Sequence, residues 1–380
     1  MKRIVLRTKL CDMLGIEYPI ISAGMGPTLI GEPNGAPVEL VVAVSEAGGL
    51  GVLGGAGFNI DELQQAIREI KAQTDKPFGV DLLLPQNVIK TDGSHESIPL
   101  MTLLEGLPPP YLDWFYKIKA EMDLPEIDLM VKMDTTVVQP QEAIRICIEE
   151  RVPLFCAGLG NPGGMVNEAH AHGMKVLGIT GNVKNAKRMA VSGLDLIVAQ
   201  GHEAGGHTGR IGTMALLPQV IDSVTPIPVL AAGGIGDGRG LAAALAMGCI
   251  GVWVGTRFLA TNEGGAMDLC KQRILDATDE DTRVSKLYTG KTSRANYTKI
   301  HDLWDKSGLE AMPFPIQVLL ASALLGSFVK GNKEDYIGGF AGQISGLIHK
   351  IVPARQVVED MVAETAEILM EKLPQTVTIK

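Results

Sequence analysis

The stretch Gln200 to Gly209, QGHEAGGHTG, places two histidines, a glutamate and four glycines within ten residues. Imidazole is the side chain whose unperturbed pKa lies near neutrality, so His207, directly after Gly205-Gly206, is the first choice for acid–base chemistry, and His202 competes with it. His202, Glu203 and His207 could approach one metal ion, but the glycines between them fix no coordination geometry and no carboxylate cluster stands nearby. No metal is expected. Glu203 reads as a residue that holds the loop. His95 lies in a long insertion from which it could face the same cleft, whereas His170, His172, His301 and His349 fall in helix-like or polar stretches and read as surface or packing residues. A GxSxG elbow and a GxxxxGK[ST] loop are absent, and no GxGxxG follows the first strand, so the signatures of a serine hydrolase, a P-loop enzyme and a dinucleotide fold are missing.

A second constellation follows. Pro228 to Gly238, PVLAAGGIGDG, is an apolar strand ending in glycines with a helix after it, and one strand later Val252 to Phe258 ends in Gly255-Thr256. Backbone N–H groups freed by glycines at two neighbouring strand ends, with a helix N-terminus beside them, form an anion cradle. A mononucleotide with a single phosphate, such as FMN, suits such loops.

Both constellations need buried parallel strands to present them. Gln200 closes the run Leu194 to Ala199, and the pattern of small residue, glycine and apolar strand recurs at Ala47–Gly55 and Ala246–Gly255. Each copy reads as a helix stopped by glycine, then a strand buried on both faces. Eight such strands, at 19–22, 50–53, 77–83, 152–156, 174–179, 195–199, 228–232 and 250–254, alternate with helix-period segments such as 60–73. The expected architecture is therefore α/β, a (β/α)8 barrel over residues 1–275, with a doubly wound open sheet as the competing arrangement. In a barrel the two glycine loops follow strands seven and eight, where a phosphate commonly sits, and QGHEAGGHTG follows strand six.

Two stretches break the rhythm. Residues 84–139 hold roughly twice the chain one crossover needs and carry Tyr111, Trp114, Phe115 and Tyr116, which suggests a lid beside a strand end or a solvated decoration. Residues 276–336 read as a helical or irregular addition, and 337–380 as a C-terminal segment that packs back on the barrel through an amphipathic helix at 354–373. The apolar run 313–329 contains two prolines near its start and is short for a membrane span; a buried or interface helix is expected.

Composition bounds the partners. Hydrophobic residues make up 46% of 380 and aromatics 4%, with 45 glycines and a net charge of −9 spread without a basic block. That favours a compact α/β protein and disfavours nucleic acid or an anionic membrane as partner. Five scattered cysteines without a CxxC pair, and a start broken by Arg7 and Lys9, lead to the expectation of a reduced, cytoplasmic protein without an export signal.

Eight stretches in order, PIISAGMGP at 19–27, EAGGLGVLG at 46–54, KPFGVDLLLP at 76–85, GLGNPGGMV at 158–166, AKRMAVSGLDLIVAQGHEAGGHTG at 186–209, PVLAAGGIGDG at 228–238, VGTRFLAT at 254–261 and GFAGQISGLI at 339–348, give the chain a family likeness. It resembles the nitronate monooxygenase (2-nitropropane dioxygenase-like) family of FMN-dependent barrel enzymes, which includes flavin-type enoyl-ACP reductases. The resemblance implies FMN contacts at Met25, Gly26, Asp81, Gln200, Gly205, Gly206, Gly233, Gly234, Gly255, Thr256 and Gln343, with His207 as the catalytic histidine beside the flavin ring. Asp81 departs from the asparagine that the family's third strand usually carries in an FGVN pattern, and the 84–139 insertion is longer than in typical members. Oxidation of alkyl nitronates with O2 is the expected function. The alternatives are an FMN reductase or dehydrogenase linked to NAD(P)H or an acyl thioester, and a non-catalytic flavin-binding protein. A small-molecule substrate is the expected partner, NAD(P)H a candidate electron donor and a homodimer a candidate assembly.

Overall fold

The computed structural model describes residues 4–28, 30–85 and 96–378; His95 lies outside them. Eight parallel strands form the centre: β1 (Ile20–Ser22), β2 (Gly51–Gly54), β3 (Phe78–Leu83), β4 (Leu154–Leu159), β5 (Lys175–Thr180), β6 (Leu196–Gln200), β7 (Val229–Ala232) and β8 (Val252–Val254). Their order is β1-β8-β7-β6-β5-β4-β3-β2, and the Ile21–Leu50 bridge joins β1 to β2. The chain is a (β/α)8 barrel, and each expected strand appears within a few residues of its expected place.

The strands are apolar along their length because both faces are buried. In β6 Leu196 and Val198 enter the barrel interior with Leu10, Leu177 and Trp253, while Ile197 and Ala199 join the shell beneath the helices. Period-two alternation thus divides one apolar run between two cores. The helix Lys9–Leu14 contributes Leu10, Cys11 and Leu14 to the interior cluster. Around the barrel, helix Ile60–Gln73 starts at an Asn59–Glu62 capping box and turns Leu63, Ile67 and Ile70 inward. Helix Ala354–Glu367 lies beside helix Gly238–Ala246, where Glu364 accepts from the Gly238 N–H at 2.7 Å.

The two stretches that break the rhythm share one core. A hairpin, Ser97–Pro99 with Met130–Lys132, flanks helices Leu100–Leu104 and Pro109–Glu121. Their buried Leu104 and Phe115 cluster with Tyr288, Ile300, Trp304 and Phe328 from beyond residue 276. Trp114 meets Trp304 edge-on at 5.6 Å, and the Tyr111 hydroxyl donates to the Glu310 carbonyl at 2.8 Å. The apolar run 313–329 forms helix Ile316–Lys330 inside this cap, and among the described residues no helix is long and apolar enough to cross a membrane. Residues 276–336 also contain strands Thr282–Ser285 and Ser293–Asn296, where the sequence suggests only helical or irregular structure.

Candidate active site

The strand Ser293–Asn296 pairs on one side with Thr282–Ser285 and on the other with Gly206-His207, through Ser293↔His207 and Arg294↔Gly206. The loop after β6 is therefore in part a strand, held in register by the cap. Further bonds tighten it. Thr208 N–H donates to the Thr292 carbonyl at 3.1 Å, the Gln200 side-chain amide donates to the His207 carbonyl at 2.7 Å, and Arg294 donates to the His202 carbonyl. Glu203 does hold the loop: its carboxylate accepts the Thr213 N–H at 3.0 Å and the Thr213 hydroxyl at 2.9 Å. Helix Thr213–Val224 has Gly212 at its N-cap and no side-chain cap of its own, so Glu203 satisfies an orphan donor at the positive end of the helix dipole. Glu203→Ala is expected to lower the free energy of unfolding by about 2 kcal/mol, the cost of leaving charge-assisted bonds unmade. A urea titration should show an earlier midpoint at unchanged slope.

His202 is engaged elsewhere, with Nδ1 2.7 Å from the Gly209 carbonyl oxygen, so His202, Glu203 and His207 point to three different partners. Among the described residues no group of three His, Cys, Asp or Glu side chains could hold a metal ion. His207 lines a cavity of about 640 Å³ that opens over the strand ends and runs under the cap. Its Nε2 lies 2.9 Å from the Thr289 hydroxyl, which leaves Nδ1 as the ring nitrogen free to meet a ligand. Phe314 stands edge-on at 6.2 Å and Phe340 tilted at 6.4 Å. Enclosed by protein except on its cavity side, the imidazole is held at a pKa of about 4, first by burial and then by the charge of Lys291. It is neutral at pH 7.

Met25, Gly26, Asp81, Gln200, Gly205, Gly206, Gly233, Gly234, Gly255 and Thr256 line the same cavity as His207. Gln343 does not: its side chain is exposed, its N–H donates to the Glu203 carbonyl at 2.9 Å, and its neighbours Gly342 and Ile344 line the cavity in its place. After β7, Gly233 and Gly234 adopt φ of 92° and 72°. Among the described residues neither amide donates to a backbone acceptor, which leaves both N–H groups available to an anion. Thr256, one strand on, accepts the Gly342 N–H at 3.0 Å, so its own hydroxyl proton is free to be donated. Asn34, Asn296, Thr289, Phe314 and Phe340 also line the cavity and went unnoticed in the sequence reading. The available signals were the glycine-rich stretch 339–348 for Phe340 and the apolar run 313–329 for Phe314. Buried side-chain oxygens of Asn34, Asp81 and Asn296 have no hydrogen-bond partner among the described residues. An apolar cavity edged by such unpaired polar atoms and a free N–H cradle fits a ligand with a phosphate and a polar planar ring.

The nitronate monooxygenase family model matches residues 7–364. A Mycobacterium tuberculosis protein named as a monooxygenase is 34% identical, covering 94% of this chain and 96% of the relative. A Staphylococcus haemolyticus protein named a probable nitronate monooxygenase is 32% identical over 88% of this chain and 90% of its own length. Among solved structures, FabK from Thermotoga maritima superposes with a TM-score of 0.74 at 32% identity, covering 98% of this chain and 100% of that chain. Nitroalkane oxidase from Streptomyces ansochromogenes superposes with a TM-score of 0.78 at 28% identity, covering 94% and 98%.

Proposed function

The chain belongs to the nitronate monooxygenase family, and from that premise we propose that this oxidoreductase binds FMN and oxidises alkyl nitronates with molecular oxygen, taking nitroalkanes as well once they lose an α-proton. One observation carries the reading: a neutral histidine lines the same apolar cavity as the glycine cradle of β7 and β8. Gly233, Gly234, Gly255 and Thr256 would hold the phosphate. Met25, Gly26, Asp81 and Gln200 would line the ring. Bound there, the flavin supplies the two-electron oxidation of the nitronate and the reaction of its reduced ring with oxygen.

The remaining work falls to the protein. In the tautomer whose Nε2–H donates to the Thr289 hydroxyl, the neutral His207 can accept the α-proton of a nitroalkane at Nδ1. Phe314, Val318, Leu319 and Phe340 give the alkyl part an apolar wall and keep water away from the reacting carbon. That same wall favours a second reading. An acyl chain would pack against the same apolar side chains, as in an acyl thioester reduced or oxidised by an NAD(P)H-linked flavin.

Anaerobic mixing of the purified yellow protein with a nitronate, NADH, NADPH and an acyl-CoA in turn separates the readings. Bleaching of the flavin by the nitronate and by neither nicotinamide is the expected result. Bleaching by a nicotinamide with none by the nitronate would transfer the assignment to the reductase reading. A flavin that responds to none of the four would point to a non-catalytic flavin protein.

A further inference from the structure

We propose that Asp81 is carried in the folded protein as a neutral carboxylic acid, and that its O–H, beside its own C=O, binds a ligand presenting an N–H next to a carbonyl. The pyrimidine part of a flavin ring has such an edge. The identity of the ligand rests on the flavin reading above; the protonation state of Asp81 does not.

The argument begins with position. Asp81 lies in the middle of β3, paired with Gly54 of β2 on one side and with Cys156 of β4 on the other. It lines the cavity at 8% exposure, and its Oδ1 is buried with no partner among the described residues. Glycines bound the carboxyl on two sides. A Cβ at Gly24 would come within 2.3 Å of the Asp81 Cβ, and one at Gly158 within 3.2 Å of Oδ1. The side chain is thus confined to a slot that faces the ligand space.

Among the described residues no cation neutralises it there. The charged or titratable groups that share its surroundings are few. Cys156 is a thiol that burial pushes well above its ordinary value, so it carries no charge at pH 7. On the cavity wall, Lys132 is paired with Glu62, Glu203 is committed to Thr213, Glu32 is acidic, and His207 is neutral. Only the Gly158 N–H favours a charged carboxyl, and burial outweighs it, pushing the acid well above the usual carboxylate range. An ionised carboxylate in an apolar cavity with a single backbone donor is strongly disfavoured, whereas the neutral acid keeps one donor and one acceptor in a plane. That is the hydrogen-bonding pattern of an asparagine side chain, the residue the family usually carries here. Ionised, Asp81 would offer acceptors only and would repel a ligand carbonyl.

The infrared difference spectrum between the wild-type apoprotein and Asp81→Asn at pH 7 tests the protonation state directly. A protonated-carboxyl C=O stretch present only in the wild type is expected; a carboxylate band in its place overturns the proposal. FMN titrations then test the contact. Asp81→Asn is expected to bind FMN within about threefold of wild type, and Asp81→Leu, similar in size, at least about tenfold more weakly. If Asp81→Asn binds more than about tenfold tighter, the wild type carries a charge; if Asp81→Leu binds as wild type does, Asp81 touches no ligand, and either result refutes the proposal. If the wild type takes up no FMN while the acid band is present, the flavin reading fails and takes the ligand assigned to Asp81 with it, a result distinct from loss of the band.

Discussion

Replacing His207 with glutamine is expected to slow turnover of a neutral nitroalkane by about 10²–10⁴-fold, the usual contribution of a positioned general base. Turnover of the preformed nitronate should stay within about tenfold, because that substrate has already lost its α-proton. Glutamine fills similar space and can still hydrogen-bond Thr289, so FMN affinity should be unchanged. Steady-state kinetics on both substrates decides the matter: an equal loss on both would show that His207 does something other than remove the proton. The pH profile offers an independent check. With the folded imidazole held at about 4, the base form persists through mild acid, and the acid limb of nitroalkane turnover should fall near pH 4 and not near 6.5. The same depression links to stability. Between about 6.5 and 4 the unfolded chain binds the proton that the folded one refuses, so this contribution is complete above about 6.5 and is lost as pH falls toward 4. It amounts to about 3 kcal/mol at most, since the cavity admits some solvent, and His207→Gln should flatten it.

Gly233→Ala should weaken FMN binding by at least about tenfold and lower folding stability by about 2–4 kcal/mol. Gly233 adopts φ of 92°, a conformation that side chains with a Cβ rarely take, and the added carbon would lie 2.9 Å from the Gly201 carbonyl oxygen and 3.1 Å from its nitrogen. Relief by movement is restricted, because the Thr213 Oγ1 stands 3.2 Å from the added carbon and the Gly201 N–H is tied to the Ala232 carbonyl at 2.9 Å. A shift there would turn the free N–H groups of residues 233 and 234 away from the phosphate. Gly255→Ala is the control. Its Cβ would meet Ala23 and Met25 at 3.6 and 3.7 Å, ordinary contact distances, so folding should survive. Equilibrium titration with FMN beside urea melts of both variants provides the measurement, and wild-type affinity in Gly233→Ala would remove the phosphate cradle from these loops.

The barrel was legible because its signals are local. Short apolar runs such as 195–199 and 228–232, buried on both faces and closed by glycine, announce themselves without knowledge of their neighbours. The cap was not legible, for the opposite reason. Ser293–Asn296 is buried throughout, yet its sequence SRAN carries no β pattern, because it is stabilised by Thr282–Ser285 and by Gly206-His207 far away in the chain. The aromatic cluster at 111–116 hinted at a buried face but could not show that its partners begin beyond residue 276. Gln343 entered through the family resemblance; in the turn of 3-10 helix Gln343–Leu347 its neighbours Gly342 and Ile344 take the inward positions and it faces out. Thr289, which fixes the ring of His207, sits in a polar stretch without period, where nothing in the sequence distinguishes it from other threonines.

The pairing of His207 with strand Ser293–Asn296 divides the site between two packed cores. The phosphate cradle belongs to the barrel and its shell core, whereas the histidine takes its register from a hairpin anchored in the separate core of the cap. Packed clusters of this kind open as units with their own free energies. On the proposed function, a loosened cap would therefore leave a barrel able to keep FMN while His207 has drifted out of reach of the substrate. Cofactor content and base-dependent turnover report on different parts of this molecule, and full occupancy of one does not measure the other.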